Sequence, residues 1–141
     1  MSSATQADVL ARRRHVILNG DADGFADLFA PDGVIEVPFA GLPGMPARLE
    51  GREAIREHAR NLLALPLRLE SFEIAELYQT LDPEVVILEM RTKATVTTTG
   101  QSFTATSIQI LRIRDSHIVL FRDFADPRIL DDINGEPRPE S

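Results

Sequence analysis

Residues 117–127 read HIVLFRDFADP, and in this stretch a carboxylate, Asp123, stands inside what is otherwise an apolar strand. Alternation along an extended chain puts Val119, Phe121, Asp123 and Ala125 on one face and Ile118, Leu120, Arg122 and Phe124 on the other. Both faces are largely apolar, so the strand must be covered twice. An acid on such a strand either reaches a cavity or loses several kcal/mol to desolvation if it stays ionised and unpaired. The rest of the chain reads as the container for that acid.

Working outward, residues 67–80 alternate loosely, residues 85–98 are long and β-branched, and residues 103–114 alternate again. Asp82-Pro83, Gly100 and Asp115-Ser116 mark the turns. Four long strands in succession make an antiparallel meander. Ahead of it, residues 7–18 carry a helical stripe of Val9, Leu10, Val16 and Ile17 that Arg13 or Arg14 interrupts; either one arginine points inward, or the stripe skirts both and both reach solvent. Asn19-Gly20 ends that helix. Asp21 or Asp23 caps a short second helix to Phe29, with Phe25, Leu28 and Phe29 on its buried face. Pro31-Asp32-Gly33 reads as a turn and residues 34–38 as a short strand, with Glu36 on the face opposite Ile35 and Val37. A third helix, to about residue 63, places Ile55, His58, Ala59 and Leu62 at helical spacing, so His58 lies inward as either a hydrogen-bonded core residue or a catalyst. The fold class expected is α+β: about three N-terminal helices packed on a strongly curved, mostly antiparallel sheet.

Between the first strand and the third helix, residues 39–50 (FAGLPGMPARLE) are too hydrophobic for a bare linker. Phe39, Leu42 and Met45 there suit a lid or rim over a cavity. Helices can cover only one face of the meander, yet Ile108 and Ile110 alternate with Leu111 and Ile113, and Val86 and Leu88 with Val85 and Ile87. A homodimer through the sheet is the expected use of the spare face.

A chain of 141 residues suggests one domain, able to bury roughly two thirds of its unfolded surface. Residues 1–6 are expected to be flexible, 7–130 to form the domain and 131–141 to be a polar tail. Acidic residues outnumber basic ones by 22 to 15, and the longest basic block is Arg12-Arg13-Arg14, so nucleic acid is not an expected partner. With no cysteine, disulfides, thiolate catalysis and cysteine-bound zinc drop out. Three scattered histidines suggest no metal site. No stretch approaches a signal peptide or the roughly 20 apolar residues of a membrane span. A soluble, cytoplasmic protein is expected, with no membrane association.

The succession DADGFADLFAPDGVIEVP, LEGREAIREH and a meander ending in IVLFRDFADP resembles the cone-shaped fold of ketosteroid isomerase, the polyketide-cyclase-like SnoaL family, limonene epoxide hydrolase and nuclear transport factor 2 (the NTF2-like superfamily). The resemblance runs from about residue 7 to 130. It implies the fold but not one activity, because this scaffold hosts isomerases, cyclases, hydrolases, dehydratases and binding proteins. Ketosteroid isomerases carry a base, an oxyanion-binding tyrosine and a protonated aspartate at positions that fall on Val37, on Arg13 or Arg14, and on Gln109. The base is missing here, although Gln109 can still donate to an oxyanion. Limonene epoxide hydrolase matches at Asp123, and its earlier arginine and second acid fall near Arg91 and Lys93, so half of its acid pair is absent; its asparagine and tyrosine fall on Glu36 and Val34. Phenazine-biosynthesis members carry a histidine like His58 in REHA and a glutamate at the position of Asp123. Their second-helix arginine is unmatched, since Gly24 and Phe25 stand there.

Asp123 and His58 are therefore the expected catalytic pair, with Glu36, Gln109, Arg14, Arg91, Phe25, Phe39 and Met45 as substrate contacts. A carboxylate in an apolar cavity has a raised pKa suited to proton transfer near neutrality. The expected activity is cofactor-independent isomerisation, cyclisation or dehydration of a hydrophobic ketone-like or polyketide-like molecule. A non-catalytic binding or scaffold protein is the alternative from another class, and epoxide hydrolysis is third. An ion pair of Asp123 with Arg13, Arg14 or Arg91 is the structural alternative for the acid itself.

Overall fold

The computed structural model describes residues 3–39 and 46–126. In chain order the elements are α1 (Ser3–Leu18), α2 (Ala22–Asp27), β1 (Phe29–Glu36), β2 (Arg48–Glu50), α3 (Arg52–Leu63), β3 (Leu67–Gln79), β4 (Val85–Val96), β5 (Ser102–Arg114) and β6 (His117–Phe124). The strands form one curved six-stranded sheet in the order β2-β1-β6-β5-β4-β3, antiparallel throughout except where β1 runs parallel to β6. This is the α+β cone expected from the sequence.

Local chemistry fixes the element ends. Helix α1 begins at Ser3, inside the stretch expected to be flexible, because Gln6 is buried and its side-chain amide donates to the Pro83 carbonyl at 2.7 Å. It closes at Asn19-Gly20, where Gly20 takes the left-handed φ of 66°. Asp21, rather than Asp23, caps α2 by accepting from the Gly24 N–H at 2.8 Å. The β5–β6 connection is a two-residue turn with φ of 52° at Asp115 and 63° at Ser116, the geometry that matches the twist of a hairpin.

Three expectations need correcting. Pro31-Asp32-Gly33 is not a turn: β1 already starts at Phe29 and passes through it, with a shift of register against β6 between Phe29 and Val34. Residues 48–50, assigned to a loop, pair antiparallel with β1. Alternation along β6 also fails at one point. Arg112 faces Leu120 but Ile113 faces Ile118, so Val119 is an extra residue and Ile118 joins Phe121 and Asp123 on the inner face. Half of the expected lid, residues 40–45 with Leu42 and Met45 among them, and the polar tail of residues 131–141 lie outside the described residues.

Helices pack on the inner face of the sheet. There Phe29, Ile55, Leu88, Met90, Leu111, Ile113 and Ile118 are fully buried. Removing each such side chain from water contributes about 1.5–3 kcal/mol, and so fixes the curvature that positions the inner-face polar groups. Arg56 ties α2 to α3 through Asp23 at 3.0 Å and Asp27 at 2.8 Å, with Glu53 on its own helix. Arg52 donates twice to the Phe29 carbonyl, at 2.9 and 2.6 Å, and so fastens α3 to the start of β1.

Candidate functional site

Register brings Gln109 of β5 opposite Asp123 of β6, both on the inner face. Helix α1 lays Arg13 across them. Of the two adjacent arginines it is Arg13 that turns inward, 2% exposed, while Arg14 lies outside and pairs with Glu73 at 2.6 Å. The reading in which both reach solvent is therefore corrected, and Arg14 gives up its place beside the acid to its neighbour. A stripe offset by one residue decides this: burying Val9, Leu10 and Val16 carries position 13 inward and leaves position 14 at the rim.

The Arg13 guanidinium is sandwiched between the rings of Phe72 and Phe121, 5.0 Å from each centroid. Its Nη2 donates to Gln109 Oε1, and the Gln109 amide nitrogen donates to Ser107 Oγ at 3.4 Å. Two buried atoms find no hydrogen-bond partner among the described residues: Arg13 Nε and Asp123 Oδ1. Burial lowers the Arg13 pKa to about 10, against the pull of Asp123, so the guanidinium keeps its charge at neutral pH. Asp123 moves the other way. Burial pushes its carboxyl above the ordinary aspartate value, and the opposing effects of Arg13 and of a hydrogen bond from Gln109 do not cancel it.

Arg13 and Asp123 thus feel one another without forming a contact ion pair; among the described residues no ion pair within 4.0 Å includes either. Arg13 also lines a cavity of about 290 Å³ between α1 and β3, whose other walls include Leu10, Phe72, Ile74, Leu77 and Met90. Asp123 and His58 are not among its lining residues. The group therefore holds a full positive charge, one uncommitted N–H and one uncommitted carboxyl oxygen, and of its members Arg13 reaches the apolar cavity.

The remaining expected site residues sit elsewhere. Glu36 faces the outer side of the sheet, where Arg48 and Arg122 each donate to it at 2.9 Å and hold its carboxyl below the usual range, Arg122 foremost. It is an ion-pair partner rather than a substrate contact, because register pairs it with Arg122 and not with Asp123. Arg91 is exposed on that same outer side, across from Glu73. Phe25 is partly buried and packs edge-on to Phe29 at 5.3 Å, against the core. Phe39 is 60% exposed and meets the ring of Phe124 at 5.7 Å. His58 is half-buried, with its pKa lowered by that burial; no hydrogen bond or ion pair among the described residues ties it to Asp123. Sequence reasoning missed Phe72 as a wall of the site, although its place between polar neighbours, Glu70-Ser71 and Glu73, two residues before Ile74, is a readable signal. Among the described residues no three His, Asp or Glu side chains come together as a metal site would need.

A curved, mostly antiparallel sheet with helices on its inner face sets the class by its fold. The chain belongs to the SnoaL-like domain family, whose model matches residues 11–121. It is similar to an uncharacterized PhzA/B-like protein of Pseudomonas aeruginosa, 39% identical over 121 residues that cover 85% of this chain and 83% of the relative. A Bacillus subtilis crystal structure, that of a protein provisionally named an isomerase, shares 26% identity over 97% of each chain with a TM-score of 0.85. A Catenulispora acidiphila protein of ketosteroid isomerase-like fold, solved with trimethylamine, superposes with a TM-score of 0.73 at 18% identity, covering 92% of this chain and 93% of that one.

Proposed function

We propose that the protein is a proton-transfer enzyme of the isomerase, cyclase or dehydratase type, acting without a cofactor on a hydrophobic, ketone-like or polyketide-like small molecule. The observation that carries this reading is a partly buried acid with a raised pKa and a buried, unpartnered Oδ1, near a buried arginine that makes no contact ion pair with it. A structural ion pair would close to contact and lower the acid's pKa; this one does neither. Asp123 takes a proton from carbon beside a carbonyl and returns it at a second position. Arg13, braced by Gln109, supplies the positive field for the enolate oxygen formed in between. The reading draws support from the family, and from relatives and neighbours that include a provisionally named isomerase and a provisionally named polyketide cyclase.

Binding without catalysis is the second reading, and the cavity favours it, since its lining holds two arginines and no carboxylate. Carbon-bound hydrogen exchange separates the two. Incubated in D2O with a panel of cyclic ketones and polyketide mimics, the wild-type chain should label at least one compound, and Asp123→Asn should slow that labelling by about 10²- to 10⁴-fold. Labelling that survives the substitution would remove Asp123 from the chemistry. A homodimer in the cytoplasm completes the proposal; no helix among the described residues is long and apolar enough to cross a membrane.

A further inference from the structure

The cavity between α1 and β3 has a one-sided chemistry. Leu10, Phe72, Ile74, Leu77 and Met90 form apolar walls, Arg14 stands at the rim already paired with Glu73, and Arg13 is the buried polar group. Arg13 brings a charge that survives at neutral pH, no carboxylate in contact and an Nε–H with no partner among the described residues. A buried cation without a contact counter-ion is costly, and a neutral carbonyl offsets that cost less well than an anion does. Space sets the size. The cavity opens to solvent past Ile74 and Leu77, and at about 30 Å³ per water molecule in the liquid its 290 Å³ corresponds to roughly ten waters, room for a body of about ten to fifteen non-hydrogen atoms.

We propose that the cavity takes an apolar small molecule that is itself a carboxylic acid, its body against Phe72, Ile74, Leu77 and Met90 and its carboxylate on the Arg13 guanidinium. This rests on the reading of Arg13 and Asp123 as a ligand site and adds to it that the ketone-like ligand also carries a carboxylate. The carboxylate meets the edge of the guanidinium that Gln109 leaves free, while Gln109 holds Nη2 and the two phenylalanine rings keep the guanidinium plane fixed. Asp123, whose carboxyl favours its neutral form more than an ordinary aspartate does, opposes a second anion less than an exposed carboxylate would.

The test is calorimetric titration of the full chain with 2-naphthoate and with 2-naphthamide, which match in shape and differ in charge. The acid should bind at least tenfold more tightly than the amide. Arg13→Met should erase that preference. Because a core variant can misfold, Leu77→Trp provides a second arm: Leu77 is 41% exposed at the cavity edge, so the larger ring is accommodated by the fold, fills the chamber and weakens naphthoate at least tenfold. Asp123→Asn should keep or strengthen the preference while losing carbon exchange, which separates this inference from the catalytic reading. Equal affinity for acid and amide, a preference that survives Arg13→Met, or full-strength binding to Leu77→Trp would each overturn it.

Discussion

Arg13 is the one ionisable side chain buried outright among the described residues, and its neighbours show how the fold meets that cost. Two aromatic faces and one amide oxygen replace water around the guanidinium, and the pKa still falls to about 10 because burial dominates. Gln109 is the partner whose loss should be felt most. Gln109→Leu leaves a charged donor stranded and should cost about 1–3 kcal/mol in chemical denaturation, whereas adding Arg13→Met to it should recover most of that loss, since both ends of the bond are then apolar. Costs that simply add would show that the two are not coupled. The acid at 123 was legible from its placement in an apolar strand. Which arginine would meet it was not, because positions 13 and 14 flank the same stripe and only the packing of α1 on β3 and β6 tells them apart. Glu36 was misread for a related reason: alternation told its face relative to Ile35, but not that Ile35 is the one turned inward, opposite Phe121.

Elements were easier to read than their irregularities. The meander strands, α3 and the turns at Gly100 and Asp115-Ser116 stand where periodicity and turn residues put them. The faults lie at β1 and β6, where the chain departs from strict pairing. Pro31 and Gly33 are ordinary turn residues in sequence, yet Gly33 is a close-approach site: a Cβ there would lie 3.0 Å from the Ala30 oxygen, 3.1 Å from the Ile118 oxygen and 3.1 Å from Phe29 Cβ. Two of those three neighbours are backbone and cannot swing away. Gly33→Ala should therefore lower stability by about 1–3 kcal/mol in thermal melts, as overpacking does, and an unchanged melting temperature would mean that β1 shifts freely against β6. The extra residue at Val119 has the same origin, a slip between neighbouring strands that no single-strand pattern encodes.

At the scale of the whole molecule, the outer face of the sheet is the surface left to explain. Tyr78, Ile87 and Ile110 line up in one cross-strand row, and Ile108 faces Phe124 in the next, with Arg122 and Glu36 closing the edge. Ile108 is 37% and Tyr78 48% exposed in the single chain. In the proposed homodimer this row is the contact, so Ile110→Arg should convert a dimer to a monomer in sedimentation without unfolding it; a monomeric wild type would remove the dimer from the account. The function proposed does not depend on that outcome, because Asp123, Arg13 and Gln109 come from one chain. Their shared claim is that Asp123 holds its proton more tightly than a surface aspartate because burial outweighs the attraction of Arg13. Following the Asp123 carboxyl carbon by NMR through a pH titration measures this directly. The predicted midpoint lies above the ordinary value of 3.8 and rises further in Arg13→Met; a midpoint at or below 3.8 would mean a structural ion pair and contradict the account.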